Sequence, residues 1–227
     1  MVRELAGQAK GLGKNRAGTG SRDQGDSMRV VVTGTSGAGK TTLARKIAAA
    51  LAMPYIELDA INWQPGWRDL TRHDPEEFVR RVNTAIAAEA WVVDGNYGPV
   101  RDIVWERATH LVWLDYERWV IMARVIRRTI VRVALRTELW SGNRERWRHL
   151  LRPSHPIRWA WNTWEWRRRE TAERLGHEDY AELVVLRLRH PRETRQAIEL
   201  LAEHHAAELR PFSRSAERSN SSALRSR

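Results

Sequence analysis

The chain has 227 residues, no cysteine and a formal charge of +11 at pH 7. That length suits one domain of ordinary size with terminal extensions, able to bury about 70% of its unfolded surface, and makes two large domains a poor fit. The missing cysteines exclude a disulfide framework and thiolate metal centres, as a reducing cytosol permits. No apolar run approaches the roughly 20 residues that span a bilayer, so the expectation is a cytoplasmic protein with no membrane partner.

Residues 1–27 are rich in Gly, Ser and charge and almost devoid of apolar side chains, and residues 209–227 have the same character. Both are expected to be disordered, leaving 28–208 as the folded domain, and the leading segment lacks the apolar stretch of a signal peptide. Met28 opens the first strand directly, which makes it an alternative start of translation. Met28 to Thr33 is a short apolar, β-branched run that predicts a buried parallel strand. The next residues, Gly34-Thr35-Ser36-Gly37-Ala38-Gly39-Lys40-Thr41, fit the phosphate-loop pattern G-x-x-x-x-G-K-[ST]. Backbone N–H groups wrap a phosphate only where side chains leave room, and Gly34, Gly37 and Gly39 clear the approach. Lys40 is expected to reach the β- and γ-phosphates of a nucleotide, and the Thr41 hydroxyl to ligate Mg²⁺. The helix opening at Lys40 turns its positive dipole end to the anion. Residues 42–52, "TLARKIAAALA", are strong helix formers.

Met53 to Asp59 is expected as a second strand ending on an acid, followed by an irregular segment that carries Trp63 and Trp67. These two tryptophans are candidate neighbours of a bound ligand, because they follow Asp59 where an acceptor pocket is expected. Asp74-Pro75-Glu76-Glu77 has the form of a helix start, with Asp74 as cap, and predicts a helix to about Glu89. A third strand from Trp91 ends on Asp94, and a fourth from His110 ends on Asp115, with a short helix between them. A long arginine-studded helix begins near Glu117, breaks around "LWSGNRE" and resumes in helical pieces to about Leu175. "AELVVLRLR" is the fifth strand and "PRETRQAIELLAEHHAAEL" the final helix. Continuous apolar strands alternating with helices imply a parallel sheet covered on both faces. Ligands of such sheets sit beyond the carboxyl ends of the strands, which puts the phosphate loop, Asp59, Asp94 and Asp115 along one edge.

The positive charge is concentrated: from Arg118 to Arg174 there are 15 Arg against 5 Glu, a local excess of +10. Such a segment suits polyanions, either nucleotide phosphates or nucleic acid, or else is a solvated helical face. Seven of the 12 tryptophans lie between Trp119 and Trp166. Arg interleaved with Trp suits base stacking, but packing is the preferred expectation, since Trp161 and Trp164 share a helical face, as do Trp159 and Trp166. The histidines lack metal-ligand spacing, so the one metal expected is Mg²⁺ carried by the nucleotide. A motor-type ATPase needs a second carboxylate beside the Mg²⁺-orienting acid. Asp94 is followed by Gly95 and Asp115 by Tyr116, which favours a small-molecule kinase.

The stretches "GTSGAGKTT", "IELDAINWQPGW", "WVVDGNY", "VWLDY" and "RTELWSGNRE" together resemble the adenylate-kinase-like P-loop proteins over about Met28 to Leu201. Within them, the resemblance is to the group labelled DNA topology modulation proteins. It implies a three-layer α/β P-loop NTPase fold of the nucleoside-monophosphate-kinase type, with about five parallel strands and a helical lid insertion at about 129–170. It also implies nucleotide-phosphate contacts from Gly37, Gly39, Lys40, Thr41 and Thr42, and an acceptor-orienting role for Asp59. Asp94 falls at the Mg²⁺-water or acceptor position, and Arg101 where an arginine meets a substrate anion. Arg124 and Arg128 precede the lid, and Arg144, Arg146 and Arg148 lie in or beside it. One departure stands out: the acceptor-nucleotide motif of nucleoside-monophosphate kinases is replaced by "NWQPGW". Two readings follow. One is an enzyme moving the γ-phosphoryl group of ATP, with Mg²⁺, to a small-molecule or nucleotide acceptor; the other is a nucleotide-gated P-loop protein that binds nucleic acid.

Overall fold

The computed structural model describes residues 27–135, 138–143 and 156–207. The extensions expected to be disordered lie almost wholly outside these. At the centre is β1 (Arg29–Gly34), whose Val30, Val31 and Val32 are all buried because the strand is covered on both faces. Its neighbours are β5 (Trp91–Asp94) on one side and β6 (His110–Leu114) on the other. β2 (Tyr55–Glu57) and β7 (Val184–Leu188) complete a parallel sheet of order β2-β5-β1-β6-β7. Strand residues alternate between two cores. Val30, Val32, Val92 and Val112 pack with α1 (Lys40–Ala50), α6 (Arg118–Ala134) and α8 (residues 194–207). Val31, Val93, Leu111 and Trp113 pack on the opposite face with α4 (Pro75–Ala85) and α5 (Gly98–Arg107). The result is three layers, as expected.

Between β2 and α4 the chain makes α2 (Leu58–Asn62), a short hairpin of β3 (Trp63–Gln64) and β4 (Arg68–Asp69), and α3 (Leu70–His73). The second strand is therefore shorter than expected. Leu58 turns into the core, 2% exposed, and starts a helix, so Asp59 stands in the first turn of α2 and not at a strand end. Asp74 caps α4 as expected, accepting from the Glu77 N–H at 3.1 Å, an interaction worth about 1 kcal/mol. That helix stops at Ala85, before Glu89, because Ile86 drops into the core and its carbonyl accepts the Trp91 indole N–H at 3.1 Å.

α6 runs unbroken through position 129, where Thr129 is buried, so the expected insertion at 129–170 has no boundary there. The part of that insertion at 144–155 lies outside the described residues. α7 (Pro156–Leu175) then lies along α6. Its buried edge carries Ala160, Trp164 and Thr171, a helical spacing, and the Trp164 indole donates to the Tyr116 carbonyl at 3.0 Å. Packing accounts for Trp164, flanked by Arg118 and Arg168, but not for its neighbours. Trp159, Trp161 and Trp166 keep 45–56% of their surface exposed, because they lie off that edge, and Trp119 in the first turn of α6 keeps 71%. Asp115 also departs from expectation. Its carboxylate is buried between Arg168 at 2.8 Å and Arg187 at 2.5 Å, which makes it a brace between β6, β7 and α7. Among the described residues no helix is long and apolar enough to cross a membrane.

At the opposite edge of the sheet His110 opens β6. Its Nε2 lies 2.8 Å from Nδ1 of His204 on α8, and its Nδ1 lies 2.9 Å from the Thr109 hydroxyl. Burial, with the second imidazole beside it, pushes the His110 pKa from 6.5 down to about 4. Between those values the unfolded chain binds a proton that the folded chain refuses, so stability rises with pH across the window. Urea unfolding should show the midpoint falling as pH drops from 6.5 toward 4. In His110→Gln that part of the slope should be lost; an unchanged slope would show that His110 is not the group responsible.

Candidate active site

The loop after β1 folds back on itself, the Ala38 N–H donating to the Thr35 carbonyl at 3.1 Å. Gly37 and Gly39 have φ of 86° and 98°, a left-handed backbone that L side chains seldom adopt. Space demands glycine as well: a Cβ on Gly37 would stand 2.0 Å from Val125 Cγ2 of α6. The loop is thus pressed against α6, and Arg124 of that helix fastens it by donating to the Ala38 carbonyl at 2.8 Å. No side chain caps the N-terminus of α1, where Gly39 is the cap residue. The backbone donors of its first turn stand at the carboxyl edge of the sheet, an arrangement that suits an anion. Gly34 ends β1, Thr35, Ser36, Gly37, Ala38 and Gly39 form the loop, and Lys40, Thr41 and Thr42 the first turn of α1.

Lys40 donates from Nζ to the Thr35 carbonyl at 3.3 Å. Burial pushes its pKa down, the carboxylates of Asp59 and Asp94 draw it back up, and the guanidiniums of Arg167 and Arg128 push it down again. These groups thus share one electrostatic neighbourhood, which brings four predicted residues, Lys40, Asp59, Asp94 and Arg128, together with one that was not foreseen. Asp94 is buried, and both of its oxygens accept hydroxyls, from Thr41 at 2.6 Å and from Tyr55 at 2.9 Å. Burial raises the Asp94 pKa, and those hydroxyls and Lys40 oppose the rise. Asp59 accepts the Tyr97 hydroxyl at 2.5 Å, and the Tyr97 ring packs on Phe78 with centroids 5.2 Å apart. Both tyrosine pKa values are displaced upward, by burial first and the adjacent carboxylate second, so both hydroxyls stay protonated donors.

Arg101 is 7% exposed; its Nε donates to Asn96 Oδ1 at 2.8 Å and its Nη1 pairs with Glu170 of α7. Arg167, one turn before Glu170, donates to the Asn96 carbonyl at 3.4 Å, and burial and Arg101 lower its pKa. A cavity of about 10 Å³, the size of one water, separates Gly34 and Thr35 from Asn96, Arg167 and Arg168. On α6, Arg124, Arg127, Arg128 and Arg132 share one face with Val131 and line an open groove of about 450 Å³. Trp63 and Trp67 form an edge-to-face pair in the β3–β4 hairpin, 5.5 Å between centroids, in the segment that leaves α2. Arg144 lies outside the described residues, as do Arg146 and Arg148. The sequence reading missed Tyr55, Tyr97, Asn96, Arg167 and Glu170. The one local signal was Tyr97, which closes the "WVVDGNY" stretch three residues after Asp94.

No protein-family model matches the chain, and no curated protein matches it. Among solved structures it is similar to shikimate kinase from Acinetobacter baumannii in complex with shikimate. That match has 15% identity, covers 82% of this chain and 97% of that chain, and has a TM-score of 0.50. It is also similar to a gluconokinase from Sinorhizobium meliloti 1021, with 21% identity, coverage of 87% and 99%, and a TM-score of 0.44. A deoxyadenosine kinase from M. mycoides shows 12% identity, coverage of 79% and 100%, and a TM-score of 0.47. The chain has the three-layer α/β fold of the P-loop kinases, with a five-stranded parallel sheet.

The contact of the loop with α6 is open to a direct check. Gly37→Ala should cost about 2–4 kcal/mol, from backbone strain and the collision with Val125. In a Val125→Ala background the same change should cost about 1–2 kcal/mol less, since only the strain remains. A urea-unfolding double-mutant cycle measures the difference, and strictly additive effects would contradict the contact.

Proposed function

We propose that the protein transfers the γ-phosphoryl group of ATP to a hydroxyl of a small acceptor bound on the Asp59 side of Lys40. The observation that carries this reading is the pair of carboxylates around one lysine, each aimed by its own tyrosine. Asp94 is joined to Thr41 of the phosphate loop and so belongs to the nucleotide side. Asp59 is joined to Tyr97 and has no hydrogen bond with the loop, which suits the acceptor side. The similar shikimate kinase, determined with shikimate bound, supports a small acceptor. Trp63 and Trp67 are proposed as walls of the acceptor pocket. Arg101 is its cation, which an anionic acceptor reaches beside or in exchange for Glu170.

In the reaction, the acceptor oxygen attacks the γ-phosphorus. A new O–P bond forms, the bond from the γ-phosphorus to the ADP oxygen breaks, and the acceptor proton passes to the Asp59 carboxylate. Lys40 holds the β- and γ-phosphates and offsets charge gathering on the oxygen between them. Arg128 adds positive charge beside it, and Arg144 is proposed to do the same. The arginine groove on α6 offers the rest of the nucleotide an anion-binding wall. Thr41 and Asp94 are hard oxygen donors already in contact, and they would hold the Mg²⁺ that accompanies ATP. When bound, that ion neutralises phosphate charge.

A second reading, nucleotide-gated nucleic-acid binding, draws on one observation. Arg118 lies over the exposed Trp161 ring at 5.0 Å and Arg167 over the exposed Trp166 ring at 5.8 Å, so cation and stacking surfaces stand together.

The test is ADP release from Mg·ATP against a panel of nucleosides, nucleotides and small metabolites. At least one compound should stimulate release, and Lys40→Ala should abolish it without loss of fold. Asp59→Asn should lower kcat about 10²–10⁴-fold while ATP affinity stays within about threefold, because the amide cannot take the proton. No stimulation by any compound, combined with salt-resistant DNA binding strengthened by ATP, would replace the kinase reading with the second one.

A further inference from the structure

The stretch from Trp140 to Asn143 follows α6, and nothing in the proposed chemistry assigns it a role. It lies against the β3–β4 hairpin. Asn143 is 5% exposed and spends its amide across the turn: Oδ1 accepts the Trp67 N–H at 2.9 Å, while Nδ2 donates to the Gln64 carbonyl at 3.0 Å and the Trp140 carbonyl at 2.9 Å. Those partners fix which way the amide points, since an N–H needs the oxygen and a carbonyl needs the nitrogen. The Ser141 hydroxyl adds a bond to the Trp63 carbonyl at 2.8 Å, and the Trp140 indole donates to Glu57 at 2.9 Å.

The hairpin needs this support. Its ladder is two pairs long, Trp63 with Asp69 and Gln64 with Arg68, which is too short to be stable alone. Its turn holds Trp67 at φ 61°, a conformation that an aromatic residue keeps only when its surroundings impose it. The bond from the Trp67 N–H to Asn143 is such a restraint. The amide supplies donor and acceptor together: a carboxylate keeps the bond from Trp67 and loses the one to Gln64, and leucine loses both.

We propose that Asn143 is a positioning residue for the acceptor segment, fastening the Trp63–Trp67 hairpin beside α2 and so beside Asp59. This rests on the kinase reading. Asn143 makes its hydrogen bonds with Gln64, Trp67, Leu139 and Trp140 and none with Lys40, Thr41 or Asp94, so its loss should act on the acceptor and leave the nucleotide alone.

The experiment uses the full chain with Asn143→Leu and, as a milder change, Asn143→Asp. Hydrogen-exchange mass spectrometry reads the hairpin without any ligand. Exchange over residues 62–70 should quicken about tenfold or more in the leucine variant and less in the aspartate variant, with residues 33–42 unchanged. Steady-state kinetics then use Mg·ATP and the panel compound that gives the fastest acceptor-dependent ADP release. The acceptor KM should rise about tenfold or more while the ATP KM stays within about twofold, a split that general loosening of the fold would not give. Unchanged exchange over 62–70, or equal rises in both KM values, would overturn the proposal. If no panel compound is turned over, the kinase reading fails on that count, and the exchange measurement still decides whether Asn143 fastens the hairpin.

Discussion

A lysine ammonium held at the carboxyl edge of a parallel sheet sets the terms for everything around it. Withdrawing a charge from water costs several kcal/mol unless partners replace the water. Lys40 finds the Thr35 carbonyl and the fields of Asp59 and Asp94. Those acids are buried or half-buried in turn, and a tyrosine hydroxyl anchors each of them. Arg128 and Arg167 add positive charge to the same neighbourhood. Phosphate oxygens are the natural complement, and the uncapped donors of α1 stand in the same place.

Strand order delivers these groups to one spot. β1 carries the loop and lies between β5 and β6, with Val32 in register with Asp94. Glu57 of β2 is in register with Asp94 from the other side, which brings Tyr55 within reach of it. The chain leaves β1 for β2 in one direction and reaches β6 in the other, so the crevice at that reversal is where such folds place ligands. α6 packs against the loop at Gly37, and α7 is secured to the sheet by the Asp115 brace and to α5 by the pair of Arg101 with Glu170.

What the sequence made legible was whatever is written locally. The phosphate loop is a contiguous pattern, the strands are continuous apolar runs, and the rule for parallel sheets places the acid that ends β5. Asp94 and Asp115 show where that rule stops. Both follow apolar strands and look alike in sequence, yet Asp94 meets Thr41 while Asp115 meets Arg168 and Arg187, which come from far along the chain. The orienting tyrosines were hidden for the same reason, because Tyr55 matters only once β2 lies beside β5. Asp59 was placed in the right neighbourhood on the wrong element, since a single buried leucine converts the end of the strand into a helix. The exposed tryptophans of α7 depend on which edge of the helix faces α6, and nothing local in "LWSGNRE" tells that its Asn143 bridges to hairpin residues 76 and 79 positions earlier.

Transfer to a bound hydroxyl and hydrolysis differ in where the phosphorus ends up, and ³¹P NMR follows that atom. With Mg·ATP and a stimulating acceptor, the spectrum should show ADP growing in step with a new phosphoester resonance, and little inorganic phosphate. ADP matched by inorganic phosphate, whatever acceptor is added, would contradict a site in which Asp59 and Lys40 serve an acceptor.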